Sequence, residues 1–220
     1  MNSSPIIQLL VLAGIAIFLI LRLKNVLGTR DGFEPPREAQ PGMARRGGPD
    51  LEVIEGGPDA DILDHVAADS EAAKALGAMK AVEPDFNVTE FLQGARGAYE
   101  MILMGFENGD MASILPFLSE EVYEAFSQVV DSREQQGLTV ESTFVGVREM
   151  VLQDASFDSA GREAELVVRF VGELTHVVRD RGGDIVEGDE TKIKRQKDVW
   201  TFARVMGTDD PNWRLVATGE

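Results

Sequence analysis

The sequence predicts an α+β domain, with helices packed on one face of a curved antiparallel sheet, preceded by one transmembrane helix. Three observations carry this. An apolar run of 19 positions, Pro5 to Leu23, lies near the N-terminus, interrupted only by Gln8 and Arg22. Between Val88 and Val130 apolar residues recur at steps of three and four, the period of a helix with one buried face. After Gly137 the period changes to two, the alternation of a half-buried strand. Helices first and antiparallel strands afterwards give the α+β layout.

Ile6, Leu9, Leu12, Ile15, Phe18 and Leu21 stand in the apolar run, expected as an anchor over residues 1–27. At the helical rise the run reaches about 28 Å, the thickness of a bilayer's hydrocarbon core. No Lys or Arg precedes it, whereas Arg22, Lys24, Arg30 and Arg37 follow, so the positive-inside rule places the C-terminal side in the cytoplasm. A cleaved signal peptide would want a basic start and a small-residue cleavage site; neither is present.

Residues 28–85 are expected to form an acidic flexible linker. Glu34-Pro35-Pro36, Pro41-Gly42, Gly47-Gly48-Pro49 and Gly56-Gly57-Pro58 interrupt any helix. Asp50 to Asp85 carries ten acidic residues against Lys74 and Lys80, a composition that favours a solvated tether. Asp69 to Val82 is an exception: it reads as a short Ala-rich helix of weak amphipathicity, either solvated or docked on the domain or a partner.

The folded domain is expected over 86–220. Asn87 and Glu90 form a capping box ahead of a long helix whose stripe is Val88, Phe91, Leu92, Ala95, Tyr99, Ile102, Leu103 and Phe106. Gly109-Asp110 ends it, and a short helix from Met111 to Leu115 stops at Pro116. Ser119 caps a third helix, with Val122, Phe126, Val129 and Val130 inward and Gly137 closing it. Leu138 to Leu152 offers short extended stretches. Arg162 to Asp180 alternates with Leu166, Val168, Phe170, Leu174 and Val178 on one side. Arg181 to Asp184 is a hairpin turn, Lys192 to Met206 alternates again, and Trp213 to Thr218 is a last strand.

The formal net charge is −17, from 38 Asp and Glu against 21 Lys and Arg, so no nucleic-acid partner is expected. Without Cys, disulfides and thiolate metal sites are excluded. No Walker or dinucleotide glycine loop, nucleophile elbow or spaced metal-ligand cluster occurs, so no catalytic residue, metal or cofactor is assigned and no enzyme is expected. Acid–base chemistry would have to draw on Asp154 or Asp158 with Tyr99, Tyr123 or His176, and nothing in the sequence makes these converge; His176 reads as an ordinary strand residue. Lys192, Lys194, Arg195 and Lys197 form a dense basic stretch split between two strand faces. It suits a solvated edge that resists pairing, or contact with anionic lipid or an acidic segment.

Phe91, Gly94, Ala95, Ala98, Tyr99, Ile102 and Phe106 on the long helix, with Trp200 and Trp213 from the strands, are the candidate groove for a partner or pocket ligand. Gly94, Ala95, Gly97 and Ala98 thin the helix, and glycine inside a helix costs roughly 1 kcal/mol relative to alanine. Tight packing on the sheet, or an apolar pocket or partner helix, would explain their use.

The residues Phe91-Leu92, Gly94-Ala95-Arg96, Ala98-Tyr99-Glu100, Ile102-Leu103, Phe106 and Gly109-Asp110 form one part of a longer pattern. Leu115, Leu118-Ser119, Val122-Tyr123, Phe126, Asp198-Val199-Trp200-Thr201-Phe202 and Asn212-Trp213-Arg214-Leu215 complete it. Over about the last three fifths of the chain this pattern resembles the C-terminal domain of the Tim44-like family, whose namesake is an inner-membrane adaptor of the mitochondrial protein-import motor. The resemblance implies a cone-shaped fold of the nuclear-transport-factor-like kind with a large apolar pocket, membrane association through its first helices, and a protein partner such as a heat-shock chaperone or a translocation-related complex. An anchor in place of a presequence, and no long charged helical region before the domain, look like bacterial members in the inner membrane. The expectation is a single-pass, membrane-anchored adaptor or scaffold. Binding of a lipid or small apolar ligand in the pocket is the alternative, and a cone-fold isomerase ranks behind both.

Overall fold

The computed structural model describes residues 59–219. Among the described residues, five helices and a short 3-10 turn precede an antiparallel four-stranded sheet of order β1-β2-β3-β4. Helices α1 (Ala60–Leu63), α2 (Glu71–Val82), α3 (Val88–Glu107) and α4 (Met111–Ile114) come first. The 3-10 turn Leu115–Phe117 leads to a fifth helix, α5 (Glu120–Gln136). The strands are β1 (Thr139–Asp158), β2 (Glu163–Arg179), β3 (Ile185–Val205) and β4 (Arg214–Gly219).

The helix ends follow the local signals. Asn87 Oδ1 accepts from Glu90 N at 2.8 Å, and Ser119 Oγ accepts from Val122 N. Gly137 ends α5 at φ +69°, a left-handed conformation that disfavours side chains with a Cβ. Asp61, from α1, supplies a further cap that sequence spacing does not show. Its carboxylate accepts from Val88 N at 2.8 Å and Thr89 N at 3.0 Å, and pairs with Lys80 at 2.7 Å. Burial alone would raise the Asp61 pKa, but Lys80 and these amides outweigh it and hold the carboxyl well below the ordinary range.

The core lies between α2 and α3 and the inward face of the sheet. Ala164, Leu166, Val168, Phe170 and Leu174 of β2 alternate into it, joined by Trp200 and Phe202 of β3 and Leu215 of β4. The opposite face carries ion pairs: Arg169–Glu149 at 2.6 Å, Arg195–Glu173 at 2.9 Å and Arg179–Glu141 at 3.2 Å. An antiparallel sheet with one dry and one wet face is the expected solution for this alternation.

Two expectations change. The sequence places 28–85 in a linker, yet from Ala60 onward these residues belong to the fold. Ser70 caps α2 through Ala73 N, and Leu76 and Met79 are fully buried against the sheet. Each such burial stabilises by about 1.5–3 kcal/mol, so the docked alternative for this Ala-rich helix is the one the structure adopts. The fold therefore begins before residue 86. Second, Leu138 to Leu152 is not several short pieces but part of one 20-residue strand, β1, whose register shifts three times. Each bulge inverts the alternation and bends the strand. Among the described residues no helix is long and apolar enough to cross a membrane; the anchor expected over 1–27 lies outside them.

Candidate functional site

The expected groove residues divide among three places. Phe91 and Trp213 meet at one end of α3, with ring centroids 4.8 Å apart and Phe86 6.0 Å from Trp213. Tyr99 and Trp200 lie mid-helix: the Tyr99 ring stacks on Phe170 at 4.4 Å and sits 4.7 Å from Trp200. Phe106, at the far end, contacts Phe126 at 4.6 Å and takes the Arg133 guanidinium over its ring at 4.6 Å. Ala95 and Ile102 are buried, Ala98 is half-buried, and Gly94 is exposed. A Cβ at Gly94 or Gly97 would meet nothing within 4 Å. Tight packing on the sheet thus does not explain these two glycines; the close contact falls at Gly105, where a Cβ would collide with Ile114 Cγ2.

The first place is an open cleft. About 550 Å³ lies between the α2–α3 connection and the β3–β4 loop, lined by Val82 to Asn87, Glu90, Phe91, Arg204, Thr208, Pro211 and Trp213. Its base is aromatic and its rim acidic. Arg204 pairs with Glu83 and lies 5.3 Å from the Trp213 ring centre. Glu83 Oε1 accepts from Gly207 N at 2.6 Å, tying the end of α2 to the turn after β3. The Arg204 Nε is buried without a hydrogen-bond partner.

Two part-buried polar clusters join the long helix to the sheet. Tyr99 Oη donates to Asp198 Oδ2 at 2.5 Å, and neither this cleft nor a smaller one between α2 and β1 reaches the pair. Burial and the Asp198 carboxylate both push the Tyr99 hydroxyl far above its ordinary pKa, so it stays protonated. At the end of α3, Ser142 Oγ donates to Glu107 Oε2 at 2.8 Å, and His176 Nδ1 lies 2.9 Å from the same oxygen. Burial pushes Glu107 up, but His176, Ser142 and the charge of Arg133 outweigh it and hold the carboxyl below its usual range. A carboxylate only accepts, so Nδ1 carries a proton. Ser142 Oγ also lies 3.0 Å from His176 Nδ1, so the three side chains form one hydrogen-bonded cluster that links α3, β1 and β2. His176 is thus more than an ordinary strand residue; no local pattern announces it, since Glu107 is 69 positions away. Asp154 and Asp158 join neither cluster: they cap backbone amides of Ala155, Ala160 and Gly161.

The Tim44-like domain profile matches residues 72–220. The chain belongs to the Tim44-like domain family. The match begins inside α2, which agrees with that helix being part of the fold. Among curated relatives, the human mitochondrial import inner membrane translocase subunit TIM44 is 24% identical over 159 residues, covering 71% of this chain and 35% of its own length. Subunit TIM44-1 of Arabidopsis thaliana is 20% identical over 161 residues, covering 70% of this chain and 34% of its own. The chain thus spans about a third of the length of these relatives. The solved intermembrane space region of chloroplast protein ARC6 superposes with a TM-score of 0.40 at 11% identity, covering 58% of this chain and 94% of that one. In this Tim44-like domain the aromatic side chains of the expected pocket, Tyr99 and Trp200 with Phe170, fill the space between α3 and the sheet.

Proposed function

We propose that the protein is a single-pass, membrane-anchored adaptor whose Tim44-like domain binds a protein partner on the cytoplasmic side of a bacterial inner membrane. The observation that supports a binding role is the open cleft at Phe91 and Trp213. The cleft offers a macromolecule the part-exposed Trp213 ring within an acidic rim, and neither Tyr99–Asp198 nor Glu107–His176 lines it. The relatives are named as subunits of a translocase, which makes a chaperone or a translocation-related complex the partner class of this reading. Its acidic rim of Glu83, Asp85 and Glu90 disfavours an anionic lipid as occupant, so the lipid alternative ranks second.

A photo-crosslinking residue introduced at Thr208, in the cleft, is the test. In intact membranes it is expected to give a discrete protein adduct, absent when the crosslinker stands at the exposed Gln128 of α5 and lost in a Trp213→Ala background. The same adduct at both positions, or its persistence in Trp213→Ala, defeats the cleft as the binding site. Deleting residues before Gly28 is expected to release the chain in an alkaline carbonate wash; a truncated chain that still pellets would refute the anchor.

A further inference from the structure

Strand β4 pairs with β3 only from Val199 to Ala203. The rest of β3, from Ile185 to Asp198, is bonded to β2 on one side, and among the described residues no strand covers its other side. This edge is not uniform. From Lys194 to Asp198 the ladder is regular, with Lys194 opposite Leu174 and Asp198 opposite Phe170. Before Lys194 the register jumps to Asp189 opposite His176, and residues 190–193 bulge out of the ladder. Asp189 pins the bulge, accepting from Thr191 N at 2.9 Å and Thr191 Oγ1 at 2.7 Å. The bulge interrupts pairing on its side, leaving Lys194 to Lys197 as a short, straight, open edge beside β4.

We propose that this edge takes up a short acidic peptide segment in extended conformation, added to the sheet as a further strand. Backbone groups of alternate residues on an edge strand point outward and can ladder with an incoming chain. Lys194 shares the inward parity of Leu174, whereas Arg195 and Lys197 stand on the outer face. A charge split between two faces makes a poor flat patch, but a strand's own side chains alternate in the same way, so an acidic strand meets Lys194 on one face and Arg195 with Lys197 on the other. The outer face holds a local surplus: Arg148 and Arg195 both approach Glu173, and Arg169 and Lys197 both act on Glu149, four cations to two carboxylates. In a chain of net charge −17, Lys194, Arg195 and Lys197 give the edge itself a local run of positive charge, and Arg148 and Arg169 lie on the neighbouring strands. A second copy offering the same edge would bring like charges together, so the partner is not this chain's own β3. The proposal rests on the sheet edge and is independent of the cleft.

The test uses the full chain in neutral detergent and a fluorescent seven-residue peptide alternating glutamate and valine, read by anisotropy. Saturable binding is expected, with loss of about tenfold or more in affinity for Lys194→Glu/Lys197→Glu. An otherwise identical peptide with N-methylated backbone amides is expected not to bind, and a lysine–valine peptide likewise. Equal binding of the N-methylated peptide, or no effect of the charge reversal in a variant with unchanged circular dichroism, overturns the proposal. So does failure of the acidic peptide to bind while vesicles of anionic phospholipid bind in a manner dependent on Lys194 and Lys197.

Discussion

The Tyr99 hydroxyl and the Asp198 carboxylate, 99 residues apart in sequence, meet at 2.5 Å and join helix α3 to strand β3. Gln196 donates to the other Asp198 oxygen at 3.1 Å. Tyr99→Phe keeps the ring on Phe170 and removes only the bond, so a loss of about 1.5–3 kcal/mol is expected, as for hydrogen bonds to charged groups. Urea unfolding measures it; a midpoint equal to the parent's would show that the bond adds nothing to stability.

The docking of α2 sets where the domain starts. A chain beginning at Asp59 is expected to unfold cooperatively, and one beginning at Asp85 to be far less stable because Leu76 and Met79 are gone. Within the longer chain, Leu76→Ala is expected to cost about 2–5 kcal/mol, the range for emptying a buried leucine site. Equal stability of the two truncated forms would count against α2 as a core element.

The helical glycines are expected to split by position. Gly94→Ala and Gly97→Ala meet open space and should each stabilise by about 0.5–1 kcal/mol. Gly105→Ala, facing Ile114, should destabilise by about 1–3 kcal/mol. Thermal unfolding of the three variants decides it, and a uniform sign across them would contradict the packing described.

Acid should weaken the fold partly through Glu107. Its pKa is depressed in the folded state, so its stabilisation is present above the ordinary carboxyl value of 4.5 and is lost as pH falls through the lower folded value. Asp61 acts in the same direction. Glu107→Gln is expected to be less stable than the parent at pH 7, with the gap closing below about pH 4.5. A gap that stays constant down to the acid transition would remove Glu107 from the pH response.

The local signals carried most of the fold. Asn87 with Glu90, Ser119 and Gly137 mark helix ends whose chemistry is complete within a few residues, and Asp180 to Asp184 closes the expected hairpin. Where pairing is long-range, the sequence was silent. The alternation of β1 is inverted at bulges after Phe144, Val147 and Leu152, so one strand reads as fragments. The bulge at 190–193 hides the first part of β3 in the same way. Helix α2 shows only Ala72, Leu76 and Met79 as its buried stripe, too little contrast to separate docking from solvation. The candidate cleft is legible only in part: Phe91 and Trp213 stand out as aromatics at helix and strand positions, whereas Glu83 and Arg204, which line it with them, are 121 positions apart.

The clamp at Asp61 has a mechanical meaning. One carboxylate grips the opening amides of α3 and the Lys80 ammonium, while Asp59, two residues earlier, also holds Lys80 at 2.7 Å. Tension entering the domain through Asp59 therefore reaches the first turn of its longest helix directly. Such a load would meet the ion pairs to Lys80 of α2 and the hydrogen bonds to Val88 and Thr89 of α3 at the same short segment, so it is shared between two helices where the described fold begins.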